Sequence, residues 1–135
     1  MNHSITPKKV LIIEDEKSLR KAVVDILSLR NFVPIEAKNG KEGVRLALSQ
    51  HPDIILLDLI MPEMDGMLTL KKIREDSWGE KVPVIILTNL TMTNEQFTSK
   101  TTNFKFTHYL IKSDWKLHDV VKKIEEILKE ALPYE

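Results

Sequence analysis

Five short apolar segments recur along the sequence, and most of the stretches between them place apolar residues at helical spacing. The segments are Val10–Ile13, Phe32–Ala37, Asp53–Asp58, Pro83–Thr88 and His108–Ile111. Apolar residues that follow one another without interruption are typical of strands buried on both faces of a sheet. Strands that alternate with helices form a parallel sheet with helices on both sides. The pattern therefore predicts an α/β fold.

The second segment differs from the others because it contains Pro34, which lacks the N–H that a central strand donates. We therefore place this strand at a sheet edge. Five strands with such an edge fit the order 2-1-3-4-5 of a flavodoxin-like, doubly wound (βα)5 fold. In such sheets the ligand lies beyond the carboxyl ends of the strands, here between the first and third strands.

Five helices are predicted, and the local sequence favours some more than others. Helical spacing of apolar residues indicates helices over about 19–30, 67–74 and 115–132, and a shorter one over 44–48 that Gly43 weakens. The segment 91–106 should hold the remaining helix, but its many Thr residues are mediocre helix formers. We expect only a short helix there, over about 94–101.

Size and charge limit the class of protein. A length of 135 residues predicts a single domain over 1–135, with a core over about 8–132 and no second domain. The 20 basic and 20 acidic residues balance, so the chain has no bulk attraction to nucleic acid or anionic lipid. No apolar run is long enough to span a membrane, and the first residues lack the apolar stretch of a secretory signal. We expect a cytoplasmic location.

Polar residues end or directly follow four of the five predicted strands. They are Glu14, Asp15, Asp58, Thr88 and Lys112. A single acid at the end of a strand commonly forms a turn or caps a helix. All five residues at the edge where ligands bind instead favour a functional site.

The residue types at this edge indicate phosphoryl chemistry. Carboxylates without His or Cys suit a hard divalent cation, Mg²⁺ or Mn²⁺. The ammonium group of Lys112 and the hydroxyl of Thr88 can contact phosphoryl oxygens. Asp58, at the centre of the group, can then act as a nucleophile that forms an aspartyl phosphate.

The sequence resembles the receiver domains of two-component response regulators over about 8–132. The matching motifs are LIIEDE, DIILLDLIMPEMDG, VIILT and HYLIK. The resemblance implies that Asp58 accepts a phosphoryl group from the phosphohistidine of a histidine kinase or a histidine phosphotransfer protein. It also implies that Glu14, Asp15 and the backbone carbonyl of Ile60 join Asp58 in holding Mg²⁺.

By the same resemblance, phosphorylation is read through a switch. Thr88 moves inward, Tyr109 follows as the switch aromatic, and the face formed by the fourth helix, the fifth strand and the last helix changes shape. A stand-alone receiver would use that face to bind a downstream protein, or would pass the phosphoryl group onward. We expect a regulator rather than an enzyme, monomeric or weakly dimeric on phosphorylation.

The sequence departs from the family pattern at several positions. Asn89 stands where a small residue is usual, and Ser113 stands where a proline after a cis peptide is common. We expect the Lys112–Ser113 peptide to keep the cis form. Ile60 and Leu90 are both apolar and cannot orient an attacking water, so we expect slow self-dephosphorylation.

Other functions leave different signatures. A Mg²⁺-dependent phosphatase or dehalogenase-like enzyme with an aspartyl nucleophile needs a second acid two residues further on, where this chain has Ile60. A flavodoxin-like nucleotide binder needs a phosphate-cradling loop after the first strand, where Glu14 and Asp15 stand instead. A pseudo-receiver that acts only as an interaction module would keep the fold and accept no phosphoryl group.

Overall fold

A computed structural model describes residues 6–61, 64–89 and 108–130, and these contain five strands and four α-helices. The strands are β1 (Lys9–Ile13), β2 (Val33–Ala37), β3 (Ile54–Leu57), β4 (Val84–Thr88) and β5 (His108–Ile111). The helices are α1 (Lys17–Leu29), α2 (Gly40–Gln50), α3 (Gly66–Glu75) and the last helix (Leu117–Glu130). Short 3₁₀ turns cover Trp78–Glu80 and Lys112–Asp114.

The five strands form one parallel sheet in the order β2-β1-β3-β4-β5, which confirms the predicted α/β topology. β2 lies at the edge, as Pro34 predicted, and none of its first four residues is fully buried. In the register, Ile13 at the end of β1 aligns with Ala37 of β2 and with Leu57 of β3. The last residues of these three strands are therefore neighbours, and the residues that follow them meet at one edge.

The core consists of two apolar layers, one on each face of the sheet. Val10 and Ile12 of β1 pack in the layer that contains α1 and the last helix. Leu11 and Ile13 of the same strand pack in the layer that contains α2 and α3. Because successive side chains of a strand point to opposite faces, covering both faces requires an apolar residue at each of these positions. This explains the uninterrupted apolar run.

Helix α2 is longer than the sequence predicted, since it begins at Gly40 and ends at Gln50. Asn39 caps its start by accepting a hydrogen bond from the Glu42 N–H at 2.8 Å. Gly43, which weakens the helix by local propensity, is needed for packing: a Cβ there would lie 2.6 Å from Cδ1 of Ile13. Tertiary packing therefore outweighs propensity at this position.

Two further expectations about helices have different outcomes. The last helix begins at Leu117, two residues later than predicted, because Trp115 follows the 3₁₀ turn. The helix expected over about 94–101 lies outside the described residues. Among the described residues, no helix combines the length and the apolar character needed to cross a membrane.

Candidate functional site

Three carboxylates lie together at the carboxyl ends of β1 and β3. Oxygen atoms of Glu14, Asp15 and Asp58 all lie within 4.8 Å of one another. Glu14 and Asp58 are buried, with 4% and 5% of their surface exposed, whereas Asp15 is exposed. The two buried acids directly follow β1 and β3, and the exposed one comes next in the loop after β1, at the edge that the sequence predicted.

Lys112, which follows β5, bridges the two buried carboxylates. Its Nζ lies 2.8 Å from Oε1 of Glu14 and 3.0 Å from Oδ2 of Asp58. Burial works to lower the pKa of Lys112, but the hydrogen bonds to Glu14 and Asp58 outweigh it and raise the pKa above its ordinary value. Lys112 is therefore a firmly charged ammonium placed between two acids.

Each polar group of Glu14, in the backbone and in the carboxylate, has a different hydrogen-bond partner. Its backbone N–H donates to the carbonyl of Ala37 at 3.0 Å, and its Oε2 accepts from the N–H of Glu16 at 3.0 Å. Burial raises the pKa of Glu14, while the hydrogen bonds from Lys112 and from the Glu16 N–H oppose that shift. The carboxylate is thus fixed in position, and burial makes its ionised form costly.

Asp58 is also fixed at both carboxylate oxygens. Oδ1 accepts a hydrogen bond from the N–H of Ile60 at 3.1 Å, and Oδ2 accepts the one from Lys112. Its own N–H donates to the carbonyl of Ile13 at 3.1 Å. Asp58 is therefore a buried, oriented carboxylate at the centre of the site, beside two acids and one cation. That arrangement suits a carboxylate nucleophile.

The remaining predicted residues lie around this centre. Thr88 ends β4 and is fully buried, and it aligns in the sheet with Ile111, the residue before Lys112. Tyr109 lies on β5 and is half-buried, and burial raises the pKa of its hydroxyl. The side chain of Ile60 is 54% exposed beside Asp58.

One prediction about the backbone is wrong. None of the described peptide bonds is cis, so the Lys112–Ser113 peptide is trans rather than cis. Serine gives little reason for a cis bond, which costs about 2.5–4 kcal/mol without proline. Ser113 instead keeps an N–H that donates to Oδ1 of Asn89 at 3.1 Å. Asn89 and Ser113, two of the departures from the family pattern, are therefore hydrogen-bonded to each other, next to Thr88 and Lys112.

Two residues that support the site were missed by sequence reasoning. Gly66, at the start of α3, lies so close to the backbone that follows β3 that a Cβ there would be 2.3 Å from the carbonyl oxygen of Asp58. A glycine at the start of a helix was the available signal. Arg20 on α1 donates to the carbonyl of Glu14 at 2.8 Å. Nothing in the local sequence marked it.

The donor set fits a hard divalent cation. The cluster offers three carboxylates against one ammonium group, so negative charge exceeds positive charge by two. Carboxylate oxygens are the ligands that Mg²⁺ and Mn²⁺ prefer in proteins. A divalent cation would therefore balance the local charge and relieve the repulsion among the acids.

A family model and several known proteins match this sequence. The family model for the response regulator receiver domain matches residues 10–125. A protein-glutamate methylesterase/protein-glutamine glutaminase of Archaeoglobus fulgidus is 35% identical over 91% of this chain and 35% of its own length. The nitrate/nitrite response regulator NarL of Escherichia coli is 35% identical over 93% of this chain and 60% of its own length. The chain thus spans about a third to three-fifths of the length of these relatives.

Solved structures share the fold. The Vibrio cholerae chemotaxis protein CheY4 is 25% identical, with a TM-score of 0.80 over 89% of this chain and 98% of that chain. The receiver domain of the sensor histidine kinase PA1611 of Pseudomonas aeruginosa is 23% identical, with a TM-score of 0.79 over 91% and 98%. That structure has a magnesium ion coordinated in its active-site cleft. With a family model that matches residues 10–125 and a five-stranded sheet in the expected order, this chain belongs to the response regulator receiver domain family.

Proposed function

We propose that Asp58 accepts a phosphoryl group from the phosphohistidine of a histidine kinase or a histidine phosphotransfer protein. The observation that carries the proposal is the position of Asp58: buried, hydrogen-bonded to Lys112 and within reach of Glu14 and Asp15. A carboxylate oxygen of Asp58 forms the new bond to phosphorus. The phosphorus–nitrogen bond breaks, and its electron pair stays on the histidine of the donor.

The acids around Asp58 would hold the cation for this transfer. Glu14, Asp15, Asp58 and the backbone carbonyl of Ile60 are the residues we assign to Mg²⁺, with Mn²⁺ as a substitute. When bound, the cation supplies positive charge to the phosphoryl oxygens. Glu14 has one oxygen on Lys112 and the other on the Glu16 N–H, so its first task is to orient Lys112. Asp15, exposed and beside both buried acids, is the more direct ligand.

Lys112 and Thr88 complete the transfer site. Lys112 already lies 3.0 Å from Asp58, so a phosphoryl group on that carboxylate comes within reach of its ammonium group. Thr88 moves inward and donates its hydroxyl to a phosphoryl oxygen. Thr88 aligns with Ile111 of the neighbouring strand β5, and Tyr109, two residues earlier on β5, follows the movement of Thr88. These two residues carry the signal to the face that includes β5 and the last helix.

The output of this domain is binding rather than turnover. We assign the whole chain to one receiver domain that binds a downstream protein through that face or relays the phosphoryl group. NarL, one of the relatives that are longer than this chain, is a response regulator for nitrate and nitrite by name. The side chain of Ile60 is apolar and 54% exposed, so it cannot hold a water for attack on the phosphoryl group. The aspartyl phosphate is therefore long-lived.

The test uses acetyl phosphate with Mg²⁺ and intact-protein mass spectrometry. We expect a gain of one phosphoryl group that is lost in Asp58→Asn and that persists for minutes or longer once the donor is removed. Asp53→Asn is the matched control, because Asp53 precedes β3 at the amino ends of the strands, away from the site. Its carboxylate accepts a hydrogen bond from the Lys9 N–H at 2.7 Å.

The proposal is overturned if the wild type gains no phosphoryl group, if Asp58→Asn gains it equally, or if neither beryllofluoride nor acetyl phosphate changes the protein. Sustained release of product from a small phosphate ester would instead indicate an aspartyl-nucleophile phosphatase. Loss of the phosphoryl group within seconds would refute the long lifetime of the aspartyl phosphate but not the assignment of Asp58 as its acceptor.

A further inference from the structure

Arg20 lies on α1, outside the group of acids, yet its side chain contacts the loop that carries two of them. Its Nη1 donates to the backbone carbonyl of Glu14 at 2.8 Å, and its Nε lies 3.1 Å from Oε1 of Glu36. The side chain is only 11% exposed, which is low for an arginine on a surface helix. Arg20 therefore connects the edge strand to the loop after β1.

The end of β2 holds the Glu14 backbone from two sides. The carbonyl of Ala37 accepts the Glu14 N–H directly, and Glu36, one residue earlier, holds the Glu14 carbonyl through Arg20. The guanidinium group can make both contacts at once because its donors have a fixed planar geometry. Both polar groups of the Glu14 backbone are thus tied to the same edge strand.

The Glu14 carbonyl belongs to the peptide that joins Glu14 to Asp15. A hydrogen bond to that oxygen fixes the plane of the peptide and so the direction in which Asp15 leaves it. Asp15 is exposed, so the loop backbone rather than surrounding side chains must place its carboxylate. Fixing this peptide fixes the start of the Asp15 residue and so limits how far its carboxylate can lie from Glu14 and Asp58.

We propose that Arg20 is a positioning residue for the divalent cation site, acting through the Glu14 carbonyl with Glu36 as its anchor. The inference deepens the proposed function, since it assumes that the three carboxylates bind Mg²⁺. Arg20 contacts neither the cation nor the phosphoryl group. Its contribution is to hold the loop in the geometry in which Asp15 can share a ligand shell with Asp58.

Charge and position predict opposite results, which makes the inference testable. Arg20 is a cation close to a site for a cation, so removing its charge strengthens Mg²⁺ binding if only Coulomb energy matters. Removing its hydrogen bond to Glu14 weakens Mg²⁺ binding if position matters. Lys21 is the matched control, because its Nζ lies 3.0 Å from Oε2 of the same Glu36 and, in the part of the chain that the structure describes, it makes no hydrogen bond to Glu14.

The experiment is a Mg²⁺ titration of the full chain, followed by backbone amide chemical shifts. We expect Arg20→Ala to raise the dissociation constant about 3–10-fold, the effect of losing one ordinary hydrogen bond. Lys21→Ala should leave the constant within about twofold of the wild type or lower it. Arg20→Lys keeps the charge but loses the planar fork, so it should weaken Mg²⁺ binding by an intermediate factor.

Arg20→Lys also decides the matter if Arg20→Ala fails to fold, because its net charge is unchanged. Unchanged or tighter Mg²⁺ binding in both Arg20 variants overturns the inference. Equal weakening in Lys21→Ala overturns it too, since that points to the salt bridges of Glu36. If the wild type binds Mg²⁺ but takes no phosphoryl group, the proposed function fails while the titration still tests Arg20. Absence of Mg²⁺ binding in the wild type refutes both.

Discussion

Two groups of charged side chains lie next to each other in this protein and differ in their balance of charge. The group at the site contains three carboxylates and one ammonium group; it consists of Glu14, Asp15, Asp58 and Lys112. The group at the sheet edge contains one carboxylate and two basic side chains; it consists of Glu36, Arg20 and Lys21. Arg20 joins the two groups through its hydrogen bond to the Glu14 carbonyl.

The same residue type responds in opposite ways in the two groups. Burial raises the pKa of Glu14, even though Lys112 donates to it. The hydrogen bond from Lys21, followed by that from Arg20, lowers the pKa of Glu36, which is more exposed. An acid matched by cations near water supports the fold, whereas acids buried in excess leave charge for a ligand to balance. The group around Asp58 therefore has the charge to bind a cation, and the group around Glu36 supports the loop beside it.

The largest effect is expected from Lys112→Ala, which removes the cation that bridges Glu14 and Asp58. We expect the free energy of unfolding without Mg²⁺ to fall by roughly 2–3 kcal/mol, because two buried carboxylates then lie together without their shared partner. Added Mg²⁺ should restore part of the loss by binding the folded state alone. Urea unfolding with EDTA and with Mg²⁺ measures both quantities.

Lys21→Ala is the control for this change, because it removes the same charge from the exposed group. It should cost less than about 1 kcal/mol. Equal losses of unfolding free energy in Lys112→Ala and Lys21→Ala would contradict the difference proposed between the two groups.

A smaller effect with opposite signs is expected from removing the charge of each glutamate. The ordinary pKa of both residues is 4.5. Ionised Glu36 stabilises the fold above that pH, and its contribution is lost as the pH falls through its lowered pKa. Glu36→Gln should therefore be less stable than the wild type at pH 7, with a difference that shrinks as the pH falls below about 4.5.

Glu14 behaves in the reverse sense because its pKa is raised. The unfolded chain releases this proton first as the pH rises, so the wild type loses stability between the ordinary pKa and the raised one. Glu14→Gln without Mg²⁺ should gain stability relative to the wild type over that range. Urea midpoints measured across the acid range test both variants, and shifts of the same sign would contradict the comparison.

The smallest effect concerns the turn that carries Lys112. Asn89→Ala removes the acceptor for the Ser113 N–H, so hydrogen exchange of that amide should speed up about 2–10-fold. Ser113→Ala keeps the N–H and should leave the protection of that amide unchanged, once each exchange rate is divided by the intrinsic rate for its residue type. Unaltered exchange in Asn89→Ala would mean that the Lys112 turn is held by other contacts.

Most of the fold followed from local patterns because β1, β3 and β4 are apolar on both faces. The strand order and the edge position of β2 were predicted correctly from the apolar runs and from Pro34. The length of α2 was underestimated at Gly43, where propensity disfavours a helix and the packing of Ile13 requires a residue without Cβ. Propensity is local, and this packing joins residues far apart in sequence.

The residues of the site were predicted for a geometric reason, since parallel strands bring their carboxyl ends to one edge. Glu14, Asp15, Asp58 and Lys112 accordingly lie together. The Lys112–Ser113 peptide was predicted wrongly, because the family preference for a cis bond depends on a proline that this chain replaces with Ser113, whose N–H donates to Asn89. That hydrogen bond spans 24 positions and has no local signature.

The sequence by itself determined the class of fold, the order of the strands and the residue types at the ends of the strands. These follow from apolar periodicity and from the parallel sheet it produces. Only the tertiary structure decided which oxygen of Glu14 and of Asp58 bonds Lys112, how Asn89 holds the turn beyond β5, and that Arg20 reaches the loop of the acids. Such contacts depend on side-chain direction and on distances of a few ångströms, which no spacing along the chain specifies.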